Sequence, residues 1–123
     1  MKTLLRKKPI SKTTGSLAED KACEYLQKQG LKLIEKNYHC RNGEIDLIMQ
    51  DKEQIVFVEV RYRKSNSHGS ALDTVNQAKI NKIITTANHY LMQHQLDKPT
   101  RFDVVGFDTT YEPKWISDAF QAF

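Results

Sequence analysis

The spacing of apolar residues along the chain predicts two helices and five strands. Apolar positions three and four residues apart indicate a helix from about Thr14 to Gln29, which the flexible backbone of Gly30 would end. A second helical stripe runs from about Leu72 to Gln95. Apolar segments bounded by turn residues indicate strands near 31–38, 43–49, 55–61, 102–107 and 114–117. The predicted order is α-β-β-β-α-β-β, an α/β fold with a mixed sheet flanked by helices.

The third predicted strand carries the least expected residue of the sequence. The segment from Ile55 to Arg61 is almost continuously apolar, which is typical of a central strand that is covered on both faces. Glu59 interrupts this run. A carboxylate in such a strand is costly unless it is paired with a cation or bound to a metal ion, so Glu59 is a candidate functional residue.

A second group of acids lies on the preceding strand. Strict alternation of side chains predicts that Glu44 and Asp46 point to one face, and that Ile45 and Leu47 point to the other. If the second and third strands form a hairpin, Asp46 and Glu59 converge. Carboxylate oxygens suit Mg²⁺, which completes its shell with water and substrate phosphate. The pattern therefore predicts a magnesium or manganese site.

Two cations are candidates for work beside these acids. Arg61 lies two residues beyond Glu59 on the same strand face, where it would contact a phosphate or the attacking nucleophile. Lys79 interrupts the apolar stripe of the second helix, and we hypothesise that it reaches over the sheet toward the acids. Each has a simpler explanation: Arg61 balances the charge of Glu59, and the side chain of Lys79 extends to solvent.

Several motifs together resemble one family. Gly43-Glu-Ile-Asp-Leu-Ile, Phe57-Val-Glu-Val-Arg-Tyr-Arg, Arg101-Phe-Asp-Val-Val and Trp115-Ile-Ser-Asp-Ala-Phe, with Ala18-Glu19 in the first helix, resemble the YraN family of bacterial proteins. That family is grouped with restriction-endonuclease-like folds. It is also similar to archaeal Holliday-junction resolvases and other nucleases with a PD-(D/E)-x-K motif.

The resemblance assigns roles to individual positions. It implies that Asp46 is the first motif acid, that Glu59 is the second, and that Arg61 stands where the motif has lysine. Glu19 matches an acid on the first helix of related resolvases. The resemblance thus implies a nuclease that hydrolyses phosphodiester bonds with water activated by a metal ion. Its catalytic residues would be Asp46, Glu59, Arg61 and Glu19, and its metal ligands Asp46, Glu59 and Glu19. Lys79 joins the catalytic residues through the separate hypothesis that it takes part of the role of the motif lysine.

Alternatives remain open at several of these positions. Ser16 and Glu19 fit a capping box at a helix N-terminus, which would explain the glutamate without any chemistry. Glu44 is expected either to be solvent-exposed or to support the metal ligands from outside their shell. Asp103 is expected to be structural. Arginine is effectively always charged and is a poor proton acceptor, so a non-catalytic module that binds nucleic acid or a partner protein is the alternative function.

Charge and composition extend the picture. Five of the 19 basic residues and none of the 15 acidic residues fall in the first twelve positions, so the net charge of +4 comes from this segment. We expect residues 1–12 to form a flexible basic arm and residues 13–123 a single nuclease-like domain. The arm either binds nucleic acid or improves solubility. The expected phosphate contacts are Arg61, Arg63, Lys64, Lys7 and Lys8.

Partners and location follow from the same features. The expected partner is nucleic acid, with DNA as the first choice, and the analogy with resolvases suggests a homodimer. No apolar run approaches the length of a membrane span or a secretory signal, so no membrane contact is expected. Cys23 and Cys40 lack metal-site spacing, and two lone cysteines indicate a reducing, cytoplasmic setting.

Overall fold

A five-stranded mixed sheet forms the centre of the fold in the computed structural model, which describes residues 14–63 and 75–122. The elements in chain order are α1 (Thr14–Lys28), β1 (Lys32–Cys40), β2 (Gly43–Asp51), β3 (Gln54–Tyr62), α2 (Gln77–Gln93), β4 (Thr100–Phe107) and β5 (Lys114–Phe120). The predicted order α-β-β-β-α-β-β is confirmed. Strands β1 and β5 extend two and three residues further than their sequence patterns indicated.

The strands lie in the sheet in chain order, β1-β2-β3-β4-β5. The first three form an antiparallel meander through two short turns. Strand β4 returns parallel to β3, and this connection includes α2, as parallel pairing requires a crossover. Strand β5 pairs antiparallel with β4. The predicted central position of β3 is confirmed, because β3 lies between β2 and β4.

Each face of the sheet is covered by one helix. Side chains of α1, including Ala22 and Leu26, pack with Val56 and Val58 of β3. Side chains of α2, including Ile83, pack with Phe57 of β3 on the other face. The alternation of β3 therefore feeds two separate apolar cores, and Glu59 falls on the face of α2.

The helix ends show one confirmed and two wrong expectations. Helix α1 ends as predicted, because Gly30 has a φ of 104° and the amide of Leu31 donates to the carbonyl of Leu26. Ser16 lies inside α1, so the predicted capping box is wrong. Helix α2 begins at Gln77 rather than near Leu72. The side chain of Asn76 caps it by accepting a hydrogen bond from the amide of Lys79.

A buried aspartate joins β4 to β5. Asp103 is fully buried, and its two oxygens accept four hydrogen bonds at 2.9 Å. Two come from the guanidinium of Arg101, one from the indole of Trp115 and one from the amide of Asp118. Every oxygen is satisfied by groups of the fold itself, so the expected structural role of Asp103 is confirmed.

Two further observations bear on the expectations. Cys23 and Cys40 are both free thiols. No helix in the described part of the chain is long and apolar enough to cross a membrane.

Candidate functional site

Asp46 and Glu59 lie where β2 and β3 separate. The antiparallel pairing of the two strands runs from Asp51 opposite Gln54 to Leu47 opposite Val58. The next residues are Asp46 on one strand and Glu59 on the other. There the amide of Val60 donates to Oδ2 of Asp46 at 2.8 Å, in place of a backbone acceptor. The two carboxyl groups are close enough for the charge of Asp46 to act on Glu59. The predicted convergence of the two acids is thus confirmed.

The simple alternation predicted for β2 is wrong at this point. Ile45 packs into the core of α2, whereas Leu47 packs into the core of α1, so these residues lie on opposite faces. The backbone is irregular here: β2 pairs with β3 only from Leu47 to Asp51, and Asn37 on the neighbouring β1 has a φ of 53°. Asp46 therefore sits between the two faces of the sheet.

Two cations approach Glu59 on the face of α2. Nε of Arg61 lies 3.4 Å from Oε2 of Glu59, and Nζ of Lys79 lies 3.8 Å from the same oxygen. The side chain of Glu59 is only 6% exposed, whereas those of Arg61 and Lys79 are 30% and 33% exposed. Lys79 is placed by the first turn of α2, which the cap at Asn76 fixes. Lys79 therefore reaches Glu59, as hypothesised, while its catalytic role stays a prediction.

Glu19 approaches from the other face. It projects from α1 and is partly buried. Its pKa is raised by the nearby charge of Asp46 and lowered by the side chain of Asn37, so both residues lie close to it. Sequence reasoning missed Asn37. Its one detectable signal was an asparagine inside a strand, since asparagine tolerates the left-handed backbone better than other non-glycine residues. The separation of β2 from β3 thus lets groups from both helices meet at Asp46.

Burial is the largest cause that raises the pKa of all three acids, and nearby negative charges add to it: Asp46 acts on Glu19 and Glu59, and Glu44 acts on Asp46. Burial and the nearby charge of Asp46 raise the pKa of Glu59 to about 7, against the opposing effect of Lys79 and Arg61. Burial raises the pKa of Asp46, while the amide of Val60 and Lys79 act in the opposite direction. Burial and Asp46 also raise the pKa of Glu19. The cluster is therefore short of positive charge, although two cations are close to it.

The donor set fits a hard divalent cation only in part. Asp46 and Glu59 present carboxylate oxygens side by side, which is the donor type that Mg²⁺ and Mn²⁺ prefer. However, no three His, Cys, Asp or Glu side chains within residues 14–63 and 75–122 are arranged to hold a metal ion by themselves. A cation at this pair would take its other ligands from water or phosphate, as Mg²⁺ commonly does. The ligand roles of Asp46, Glu59 and Glu19 stay predictions.

The remaining predicted residues are dispersed. Glu44 is exposed, and one of its oxygens lies 3.4 Å from Nδ1 of His39 at the β1–β2 turn. Arg63 follows β3 and donates its amide to the carbonyl of Phe107. Lys7, Lys8 and Lys64 lie outside the described residues, as do the predicted basic arm and the polar loop 65–70.

The fold and the cluster define a class: a small mixed α/β domain with a carboxylate pair at the point where two central strands separate. Residues 18–107 match the family described as Uncharacterised protein family UPF0102. The chain belongs to this family, which confirms the resemblance drawn from the motifs.

Relatives match over nearly the whole chain. A UPF0102 protein of Psychromonas ingrahamii is 50% identical over 112 residues, which are 90% of this chain and 92% of the relative. That of Nitrosococcus oceani is 48% identical over 112 residues, 87% of this chain and 90% of the relative. That of Alcanivorax borkumensis is 46% identical over 123 residues, 95% of this chain and 96% of the relative.

Proposed function

We propose that this protein is a Mg²⁺-dependent nuclease that hydrolyses phosphodiester bonds of nucleic acid, with DNA as the first candidate substrate. The observation that carries the proposal is the pair of partly buried Asp46 and buried Glu59, with Arg61 and Lys79 beside it. Two adjacent carboxylates that are largely shielded from solvent repel each other, and a protein gains no stability from that repulsion. A divalent cation and a phosphate explain the pair and the two cations together.

The proposal gives each side chain a task. Asp46 and Glu59 hold the cation, and the amide of Val60 fixes the orientation of Asp46. Glu19 lies beside Asp46 and adds a third carboxylate from the side of α1. A bound divalent cation would supply charge neutralisation at the scissile phosphate and a lower pKa for a water molecule.

The cations act on the phosphate rather than on the proton. Arg61 keeps its charge at all relevant pH values, so it holds a phosphate oxygen and does not act as a base. Lys79 is the second phosphate contact, because its side chain is one-third exposed and its ammonium group already adjoins Glu59. Together they neutralise charge that develops on the phosphate as the bond breaks.

The raised pKa of Glu59 makes cation binding depend on pH. With a pKa of about 7, Glu59 holds a proton in roughly half of the molecules at neutral pH. A cation must displace that proton, so binding releases protons and strengthens as the pH rises.

The direct test is calorimetric titration of Mg²⁺ and Mn²⁺ into the wild type and a D46N/E59Q variant, with and without a DNA oligonucleotide. Two buffers of different ionisation enthalpy count the protons released. The matched control is E53Q/D97N, which neutralises two exposed acids elsewhere. We expect cation binding with proton release in the wild type and the control, and none in D46N/E59Q. Cleavage is then measured on branched, flapped and single-stranded DNA and RNA. Binding that persists in D46N/E59Q would refute the site.

The second candidate function is a non-catalytic module that binds nucleic acid or a partner protein. The observation that favours it is Arg61, which occupies the place of the motif lysine and forms an ion pair with Glu59. Under this function, no cation binds even with DNA present, and E59Q binds nucleic acid as tightly as the wild type does.

A further inference from the structure

A groove of about 430 Å³ lies beside the carboxylate pair, between the β1–β2 turn and α2. Among the described residues that line it, Arg41, Lys79 and Lys82 are cationic. Glu44 lines it as well and pairs with His39 at 3.4 Å. The remaining lining residues are Cys40, Asn42 and Gly43 of the turn and Ile83 of α2. The groove is thus a positively charged channel rather than an apolar pocket.

The groove owes its shape to a close approach of the turn to α2. Gly43 has a φ of 151°, and a side chain at this position would meet Oγ1 of Thr86 at 3.1 Å and Cβ of Lys82 at 3.9 Å. Glycine therefore lets the turn rest directly on the helix. Arg41 belongs to the turn and Lys82 to the helix, so each of the two elements that form the groove contributes a cation.

The groove is continuous with the candidate active site. Lys79 lines the groove, and its ammonium group lies 3.8 Å from Glu59. Lys79 and Lys82 are three residues apart on α2, so they share one face of the helix. A chain of phosphates is the ligand that would contact cations spaced along a groove and also place one phosphate at the carboxylate pair. The volume lies within the usual range of ligand sites, about 300–1,000 Å³.

We propose that this groove binds the sugar-phosphate backbone of a nucleic acid strand next to the scissile phosphate, through Arg41 and Lys82. The inference rests on the proposed function and deepens it, because it states how the strand enters the site. Arg41 and Lys82 touch neither Asp46 nor Glu59 in this arrangement and act as substrate-positioning residues. Their contacts are to phosphates, so they confer affinity without base specificity.

The first test measures affinity for DNA at several salt concentrations. The variant is R41A/K82A, and the matched control K32A/K98A removes the same charge from exposed positions away from the groove. All four side chains are exposed, so both variants should fold. Fluorescence anisotropy with labelled single-stranded and duplex DNA, in Ca²⁺ to prevent cleavage, gives the dissociation constants. We expect R41A/K82A to bind at least about tenfold more weakly, with a salt slope lower by about 2, and K32A/K98A to change little.

The second test uses the cysteines as internal reporters. Cys40 lines the groove and is partly exposed, whereas Cys23 lies on α1 and is buried. Bound DNA should slow alkylation of Cys40 by iodoacetamide in the wild type and leave the slow reaction of Cys23 unchanged. This measurement needs no substitution, so it does not depend on the stability of a variant.

The possible outcomes distinguish a failure of the proposed binding groove from a failure of the proposed nuclease function. Selective loss of affinity in R41A/K82A together with protection of Cys40 supports the groove. If the wild type binds and cleaves DNA but both double variants behave alike and Cys40 stays reactive, the groove is refuted and the nuclease is not. If the wild type binds no nucleic acid, both proposals are refuted.

Discussion

Replacement of Glu59 by glutamine should stabilise the protein above neutral pH in buffers without divalent cations. The substitution keeps the shape of the side chain and removes its charge. In the unfolded chain the carboxyl group titrates with an ordinary pKa of 4.5, and in the folded protein the pKa is about 7. The folded state therefore binds more protons between these values, and the contribution of Glu59 to stability falls as the pH rises from 4.5 to 7.

The pKa difference sets the size of the effect. One pKa unit corresponds to about 1.4 kcal/mol, so ionised Glu59 costs on the order of 3 kcal/mol above neutral pH. The side chain is only 6% exposed, so solvent screens little of this cost. E59Q should thus resemble the wild type near pH 4.5 and exceed it by roughly 2–4 kcal/mol above about pH 8.

The assay is urea unfolding in EDTA at intervals between about pH 5 and about pH 8. The control is E53Q, which removes an exposed carboxylate from the β2–β3 turn and should follow the wild type at every pH. Two results would refute the reasoning. One is a difference between E59Q and the wild type that does not change with pH. The other is E59Q becoming relatively less stable as the pH rises, which would mean that Arg61 and Lys79 outweigh burial and lower the pKa of Glu59.

Three further predictions concern the surroundings of the site and its supports. D103A should lower the free energy of unfolding by about 3–5 kcal/mol, because it leaves the guanidinium of Arg101 and other donors without their acceptor. Urea unfolding measures the loss, and a loss below about 1 kcal/mol would contradict the structural role of Asp103. G43A should lower the free energy of unfolding by about 1–3 kcal/mol through backbone strain and contact with Thr86. If G43A and the wild type were equally stable in urea, the β1–β2 turn would not pack tightly against α2. K79M should raise the pKa of Glu59 further, because the charge of Lys79 lowers it. Titration followed by NMR of the carboxyl carbon measures this pKa, and an unchanged pKa would show that Lys79 and Glu59 do not interact.

The elements and their order could be read from the sequence because local patterns determine them. Apolar spacing identified both helices, and the run from Ile55 to Val60 identified the central strand. Errors arose where side chains override periodicity. The cap formed by Asn76 starts α2 five residues later than the apolar stripe suggested. The helical position of Ser16 removed the capping box that had offered a simple account of Glu19.

For the candidate site too, some features could be predicted from the sequence and others could not. The sequence by itself determined that Glu59 is a carboxylate in an apolar strand and that Asp46 stands on the neighbouring strand, since both facts are local. Only the tertiary structure decided that β2 separates from β3 at Asp46, which therefore accepts a hydrogen bond from the amide of Val60 and contacts Glu19. The groove beside the pair likewise depends on the packing of Gly43 against α2. The physical reason is that alternation follows from the geometry of one strand. Strand separation and helix docking, in contrast, depend on contacts between residues far apart in the chain.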